Sequence, residues 1–419
     1  MTPTSISQQP CGRGPFAGRT VVIVGGGQAG SQAAVGLRER GFRGRVILLG
    51  DEPSLPYMRP ALSKKFLSGD EDESHLVLRP AAFYESHGIE WRAGTRACSI
   101  ERHARRLRLT EGRYLTYDNL LLATGSRPRT LDVPGAGLAG IHLLRTTRDS
   151  ARLREAIAAG KRVVVVGAGY LGLEVAAVAA TAGAQVTVVE IADRLLSRVT
   201  TPRISGYLSE VHRSHGVRIQ CSTRVTAFGG GERLERVETD RGSIAADVAV
   251  IGIGALPNEE LALEAGIACD DGILVDDFAR TSDPHVYAAG DCTRHPNPLY
   301  GRLLRLESVQ NAVEQASVAA ANIAGDAVRY HRVPWFWSQQ YDRKLQSAGL
   351  SNGHDAVEER GDRAAGRFAI RYLRSGRLVA VDAVNMPGEY LAARREIERR
   401  ELETEAERET LPLARQRVA

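Results

Sequence analysis

The chain has 419 residues, 43% of them apolar and 25% charged, with a formal net charge of +5. That is the composition of a globular protein too long for one ordinary domain, so two or three are expected. The basic excess is mild (pI about 9.0) and holds no dense basic run interleaved with aromatics, which argues against nucleic-acid binding.

Lysine stands only at positions 64, 65, 161 and 344, so arginine supplies most of the positive charge. The five cysteines (Cys11, Cys98, Cys221, Cys269, Cys292) are scattered and form no C-x-x-C. They point to a reducing cytoplasm and away from a disulfide framework or a zinc site. The histidines show no metal spacing, so no metal is expected. Residues 1–17 are polar, carry Pro and Gly, and read as a flexible segment without a signal peptide.

In chain order, the first strong pattern is Val21-Val22-Ile23-Val24 running into Gly25-Gly26-Gly27-Gln28-Ala29-Gly30. An apolar β-branched strand, a G-x-G-x-x-G turn and a helix pattern follow one another. Such glycines let the backbone approach a pyrophosphate, whose charge the helix N-terminus then holds. A second strand, Val46 to Leu49, leads to Asp51, with Glu52 beside it as the alternative acid. A hairpin signal at Glu111-Gly112 precedes a buried-looking strand that ends in Ala123-Thr124-Gly125.

The same plan then repeats. Val163 to Val166 runs into Gly167-Ala168-Gly169-Tyr170-Leu171-Gly172, Val186 to Val189 leads to Glu190, Arg241-Gly242 turns, and Val248 to Gly254 closes the copy. The apolar stretch 163–189 is interrupted by glycines, Glu174 and Gln185, so it reads as the fingerprint and not as a membrane span. Two fingerprints imply two dinucleotides. Asp51 and Glu190 are placed to accept hydrogen bonds from ribose diols, and a carboxylate at Glu190 with no arginine directly after it favours NAD(H) over NADP(H).

The segment after Gly254 departs from the repeat. Arg280 to Asp291 reads as a turn, a strand and an exposed acid, and Glu307 to Ala324 as a helix. From about Tyr330 the pattern is antiparallel sheet, with Phe368, Ile370 and Tyr372 on one face and a helix after Pro387; residues 394–410 read as a solvated helix fading into a tail. The fold expected is α/β. It has two Rossmann-like dinucleotide-binding domains, one discontinuous over 18–125 and 255–328 and the other over 126–254, plus a C-terminal α+β domain over 329–419.

Pro56-Tyr57-Met58-Arg59-Pro60-Ala61-Leu62-Ser63-Lys64 resembles the flavin-contacting loop of the FAD-dependent ferredoxin reductases of bacterial oxygenase systems, two-dinucleotide flavoproteins of glutathione-reductase-like fold. Ala123 to Pro128, Gly169 to Glu174, Gly290-Asp291, Glu307 to Ala312 and Pro334 to Ser338 are similar to that family in order and spacing. Ala61 departs from it, standing where a second proline is usual.

The resemblance implies FAD in the first unit and NADH in the second. It places Arg59 along the FAD phosphates and Lys64 near flavin N5, paired with Glu174. It places Asp291 on the ribityl chain, and Val309 at the start of a helix aimed at the pyrimidine end of the flavin. Tyr170 shields the flavin where nicotinamide docks, or is ordinary packing. The implied partner is an acidic [2Fe–2S] ferredoxin docking near Trp335, Trp337, Arg305, Arg343 and Lys344, with Arg294 and Arg302 flanking.

The activity this implies is hydride transfer from NADH to FAD, then single electrons to the ferredoxin, which serves a haem monooxygenase or a ring-hydroxylating dioxygenase. A rubredoxin or nitrite reductase component, or a slow redox-sensing flavoprotein of the apoptosis-inducing-factor type, stand as alternatives. An NADH oxidase or peroxidase ranks below them, because no cysteine lies between Cys11 and Cys98. A monomer or weak dimer is expected.

Overall fold

The structure is a computed structural model that describes residues 16–410, with side chains described as far as 399. The expectations for Cys11, for most of the flexible N-terminal segment and for the end of the tail lie outside the described residues. The chain divides into two compact units, each built from three stretches. Of the described residues, 16–58, 77–126 and 257–331 form the first, and 59–76, 127–256 and 332–410 form the second.

In the first unit, Val286–Ala288, Asn119–Leu122, Thr20–Val24, Arg45–Leu49 and Ile89–Arg92 lie side by side, in that order, as a parallel sheet. Thr20 pairs with Arg45 and Val24 with Leu49, so the register is continuous. Strand side chains alternate between faces. Val21, Ile23, Val46, Leu48 and Leu121 therefore pack against the helices Gln28–Glu39 and Val309–Ile323. Val22, Val24, Ile47, Leu49, Leu120 and Leu122 pack on the other face with Ile100, Leu107, Leu109 and Leu115 of a small antiparallel sheet. Both faces are covered, which is why these strands read as unbroken apolar runs. The two helices meet closely at Gly36, where a Cβ would lie 3.2 Å from that of Ala320.

The second unit contains the repeat of this arrangement. Arg218–Gln220, Gln185–Val189, Arg162–Val166, Val248–Ile251 and Ile141–His142 form a parallel sheet in that order. An antiparallel meander, Val225–Gly230, Leu234–Thr239 and Gly242–Ala245, supplies Phe228, Leu234 and Val237 to the core on one face.

The same unit carries a five-stranded antiparallel sheet, in the order Trp335–Gln340, Arg343–Gly349, Arg377–Val384, Arg367–Arg374 and Ala356–Asp362. The alternation expected for Arg367 to Tyr372 does not divide core from solvent. Phe368, Ala369, Ile370, Arg371 and Tyr372 are all buried. Phe368 stacks edge-on with Tyr207, and Arg371 reaches from the sheet to Glu389 and Glu396 of the helix Pro387–Thr410. Within the stretch expected to be solvated, Ile397 is buried, as are Tyr390 and Ala393 just before it, so one side of the helix is packed.

Candidate functional site

The first fingerprint places Gly25 at φ +121, where a Cβ would fall 2.0 Å from the Ala123 carbonyl oxygen. A Cβ at Gly30 would fall 1.9 Å from the oxygen of Gly25. Gly27 differs, with nothing within 4 Å of its Cβ position. It precedes a helix that has no side-chain cap, so no capping side chain occupies the first N–H groups of Gln28–Glu39. Backbone donors at a helix start beside an uncluttered glycine fit a pyrophosphate.

Asp51 is exposed just past the second strand, whereas Glu52 is half-buried and accepts the Tyr57 hydroxyl at 2.6 Å. The six-membered ring of Trp91, which the sequence reading did not single out, covers Gly26 and Gly50. A Cβ at Gly50 would stand 2.2 Å from it.

The strand end Ala123-Thr124-Gly125 is clasped by Asn258, also unforeseen. Thr124 Oγ1 donates to the Asn258 carbonyl at 2.6 Å, Asn258 Nδ2 to the Thr124 carbonyl at 2.8 Å, and Asn258 N–H to Gly125 O at 2.9 Å. Asp291 follows Gly290 (φ +89) and accepts from Ser126 Oγ at 3.0 Å. Val309 opens its helix behind Ser308, whose Oγ accepts the Asn311 N–H at 3.0 Å.

Nearby in the same unit, Gln315 Oε1 accepts from Gly290 N–H and Thr293 Oγ1. Its Nε2, Gln310 Oε1 and both ring nitrogens of His295 are buried without a hydrogen-bond partner among the described residues. Burial alone pushes the His295 imidazole down to about 4.

The second fingerprint reproduces the geometry. Cβ atoms would fall 2.4 Å from Gly252 O at Gly167 and 2.2 Å from Gly167 O at Gly172, while Gly169 faces open space ahead of the uncapped helix Tyr170–Thr181. This cradle also fits a pyrophosphate. Glu190 folds back onto it, Oε2 accepting Ala168 N–H at 2.6 Å and Oε1 accepting Ala192 N–H at 2.8 Å. Gly254 (φ +110) lies under the Arg198 guanidinium, and Leu171 is half-buried. The Tyr170 ring stacks on Phe336, with centroids 4.6 Å apart. Burial, reinforced by the Asp382 carboxylate, pushes its hydroxyl well above the ordinary tyrosine range.

Lys64 and Glu174, 110 residues apart in sequence, meet at 2.6 Å. The 3₁₀ turn Arg59–Ser63 delivers Lys64 and is held by Ser150 Oγ donating to Leu62 O at 2.7 Å. Glu174 rides the fingerprint helix and is 4% exposed. Ser63 Oγ donates to its Oε2 at 2.5 Å and Ser338 Oγ to its Oε1 at 2.7 Å. A buried charge persists only when paired and hydrogen-bonded, and here an ammonium and two hydroxyls serve one carboxylate. Arg59 donates to Arg145 O at 2.7 Å.

Trp335 and Trp337 share a face of the edge strand, centroids 5.8 Å apart, and the Arg394 guanidinium sits 5.2 Å over Trp335. The arginines singled out as a basic patch are largely spent on neighbours. Arg305 pairs with Asp271 and Glu307, Arg294 with Asp270, and Arg343 with Asp342 and the Tyr207 hydroxyl. Lys344 is exposed. Among the described residues, no helix is long and apolar enough to cross a membrane.

Two mononucleotide-type sheets, each with an open glycine before an uncapped helix, define a protein built to hold two dinucleotides. Residues 19–316 match the family model described as pyridine nucleotide-disulphide oxidoreductase, and residues 335–410 match one described as reductase C-terminal. The chain belongs to the pyridine nucleotide-disulphide oxidoreductase family.

It is 46% identical over 378 residues to rhodocoxin reductase of Rhodococcus erythropolis, covering 90% of this chain and 88% of that protein. It is also 46% identical over 379 residues to the ferredoxin–NAD(+) reductase component of the anthranilate 1,2-dioxygenase system of Burkholderia cepacia, covering 89% and 93%. The reductase in the covalent putidaredoxin reductase–putidaredoxin complex superposes with a TM-score of 0.88 at 41% identity, covering 90% of this chain and 93% of that one.

Proposed function

We propose that this chain is an FAD-dependent NADH:ferredoxin oxidoreductase of the cytoplasm that supplies electrons to an oxygenase. The carrying observation is the pair of open, uncapped helix starts at Gly27 and Gly169, in a chain whose relatives bear ferredoxin-reductase names. The first sheet would hold FAD through Gly25, Gly27, Gly30, Asp51, Ala123, Thr124, Gly125, Asp291 and Val309, with Arg59 and Lys64 added from the loop. The second would hold NADH through Gly167, Gly169, Tyr170, Leu171, Gly172, Glu190 and Gly254.

This assigns FAD binding to 18–125 and 255–328, NAD binding to 126–254, and a separate C-terminal domain to 329–419. FAD, when bound, supplies the exchange between a two-electron hydride step and one-electron steps. Lys64 contributes a fixed positive charge that eases flavin reduction, and Glu174 keeps that ammonium in place. Tyr170 shields the reacting face. Glu190 takes the adenosine ribose diol and repels a 2′-phosphate; the neighbouring Arg194 is already committed to Ser205 Oγ and Ser197 O. Trp335, Trp337 and Lys344 belong to the surface offered to an acidic [2Fe–2S] ferredoxin, with Arg305 and Arg343 in support. The protein acts as a monomer or weak dimer.

The test is direct. Purified protein should be yellow with bound FAD and reduce ferricyanide with NADH. It should reduce cytochrome c rapidly only when a [2Fe–2S] ferredoxin is added. Material that stays colourless after reconstitution overturns the reading. Faster turnover with a rubredoxin or a nitrite reductase than with any ferredoxin reassigns the partner, and uniformly slow turnover assigns a redox sensor.

A further inference from the structure

Behind Glu174, a line of buried polar side chains runs away from Lys64. Ser338 Oγ contacts Glu174 Oε1 at 2.7 Å, Gln340 Nε2 contacts Ser338 Oγ at 3.1 Å, and His212 Nε2 contacts Gln340 Oε1 at 2.9 Å. The Tyr341 hydroxyl closes on His212 Nδ1 at 3.3 Å. Outside it, the exposed His215 stacks on the Tyr341 ring, 3.7 Å between centroids. Ser338, Gln340 and His212 are each 2% exposed or less. A chain of five polar groups through the interior is costly unless every member is satisfied, and packing of the strand Trp335–Gln340 does not by itself require it.

The charge on Glu174 dictates the direction of every link. A carboxylate facing an ammonium only accepts, so Ser338 must spend its one hydroxyl proton on it. Ser338 can then only accept from residue 340, which turns the Gln340 amide nitrogen inward and its oxygen outward. That oxygen needs a donor, so His212 carries its proton on Nε2. Nδ1 is left to accept from Tyr341. Burial lowers the pKa of His212, in keeping with a neutral ring. All the donors point the same way, toward Glu174, and bonds so aligned polarise one another.

We infer that His212 is a positioning residue for the Lys64–Glu174 pair, acting through Gln340 and Ser338 as the far end of a one-way chain of hydrogen-bond donors that orients the carboxylate and disperses its charge. The inference rests on the proposed role of that pair beside the flavin. Anything that weakens the donors leaves more negative charge beside Lys64 and makes flavin reduction harder. Anything that neutralises Glu174 reverses the direction of the chain. In Glu174→Gln, the introduced carbonyl oxygen stays on the ammonium and the introduced NH₂ faces Ser338. Ser338 then donates outward, the Gln340 amide inverts, and His212 must accept at Nε2 and carry its proton on Nδ1.

The experiment uses the full-length, FAD-loaded protein labelled with ¹⁵N-histidine. Long-range ¹H–¹⁵N correlation spectra distinguish the two neutral tautomers, and His212→Gln assigns the signal. The expected result is the Nε2–H tautomer in the native protein and the Nδ1–H tautomer in Glu174→Gln. An Nδ1–H ring in the native protein, or an unchanged tautomer in the variant, overturns the chain.

The flavin midpoint potential is read in parallel. Glu174→Gln should shift it to more positive values and His212→Phe to more negative ones. His212→Gln, whose amide can still donate to Gln340, should return it toward native. If Glu174→Gln moves the potential and His212→Phe does not, the positioning role is overturned while the functional reading stands. If neither variant moves it, the placement of the pair beside the flavin fails, and with it the positioning role.

Discussion

The two parallel sheets are built to one plan, yet they treat their acids and their buried histidines differently. In the first unit the acid stands two residues past the strand and is exposed, the next acid is tied to Tyr57, and Trp91 lies over the glycines. In the second the acid follows the strand directly and is folded onto one fingerprint amide, Ala168 N–H, and one amide of its own loop, Ala192 N–H. The ring nitrogens of His295 in the first unit have no hydrogen-bond partner among the described residues, whereas those of His212 in the second have two. The glycine spacing thus specifies the cradle for a pyrophosphate. What flanks the cradle is set separately in each copy.

The largest expected effect breaks this likeness at the glycines themselves. Gly30→Ala and Gly172→Ala drive a Cβ to about 2 Å from a backbone oxygen, which no side-chain rotation relieves. Each should cost about 4 kcal/mol or more of folding stability, read by urea unfolding without added cofactor. Gly27→Ala and Gly169→Ala meet open space at ordinary backbone angles. They should fold within about 0.5 kcal/mol of the parent and instead weaken binding of FAD and NADH respectively. Equal stability losses at all four positions would show that the glycines serve only the fold.

The next effect belongs to the second unit. Lys64→Met leaves a carboxylate that is 4% exposed facing two hydroxyls and no cation. The loss should be about 3 kcal/mol. Lys64→Met combined with Glu174→Leu should recover most of it, because the apolar pair leaves no uncompensated charge. Additive losses in a double-mutant unfolding cycle would show that the ion pair contributes nothing of its own.

The contrast between the histidines gives a pH test. The folded pKa of His295 is depressed from 6.5 to about 4, so below pH 6.5 the unfolded chain binds a proton that the folded chain does not. Stability from this residue is complete above 6.5 and declines as pH falls toward 4, by about 3 kcal/mol at most. His295→Phe should flatten that part of the profile. A variant whose stability falls as steeply as the parent's between pH 6.5 and 4 would place the acid sensitivity elsewhere.

Much of this architecture is legible along the chain, because its signals are local. Val21 to Val24 and Val163 to Val166 are strands since they run unbroken into glycine turns. The helix Val309–Ile323 announces itself by Ser308 and the small residues that follow. The Lys64–Glu174 pair came from resemblance, since nothing local ties two residues 110 positions apart. Trp91 over Gly50, Asn258 on Thr124 and the line from Ser338 to His212 left no periodic trace for the same reason. The strand Ala356–Asp362 escaped differently. It is an edge strand with its side chains almost all in solvent, so its sequence is a charge run without alternation.

The smallest effect tests whether the two acids share one task. Glu190 is held by two backbone N–H groups, so its charge is fixed at the mouth of the second cradle. Glu190→Gln keeps the shape and removes the charge. The kcat/KM ratio of NADH to NADPH should fall about tenfold, an effect of about 1.4 kcal/mol, through better use of NADPH. Asp51→Asn should leave that ratio untouched and weaken FAD retention instead, because the first cradle is the one proposed for FAD. If Asp51→Asn alters the nicotinamide preference as strongly as Glu190→Gln does, the assignment of one coenzyme to each copy is wrong. If neither substitution alters it, discrimination against a 2′-phosphate lies in the loop beyond Glu190, where Arg194 is bound to Ser205 and Ser197.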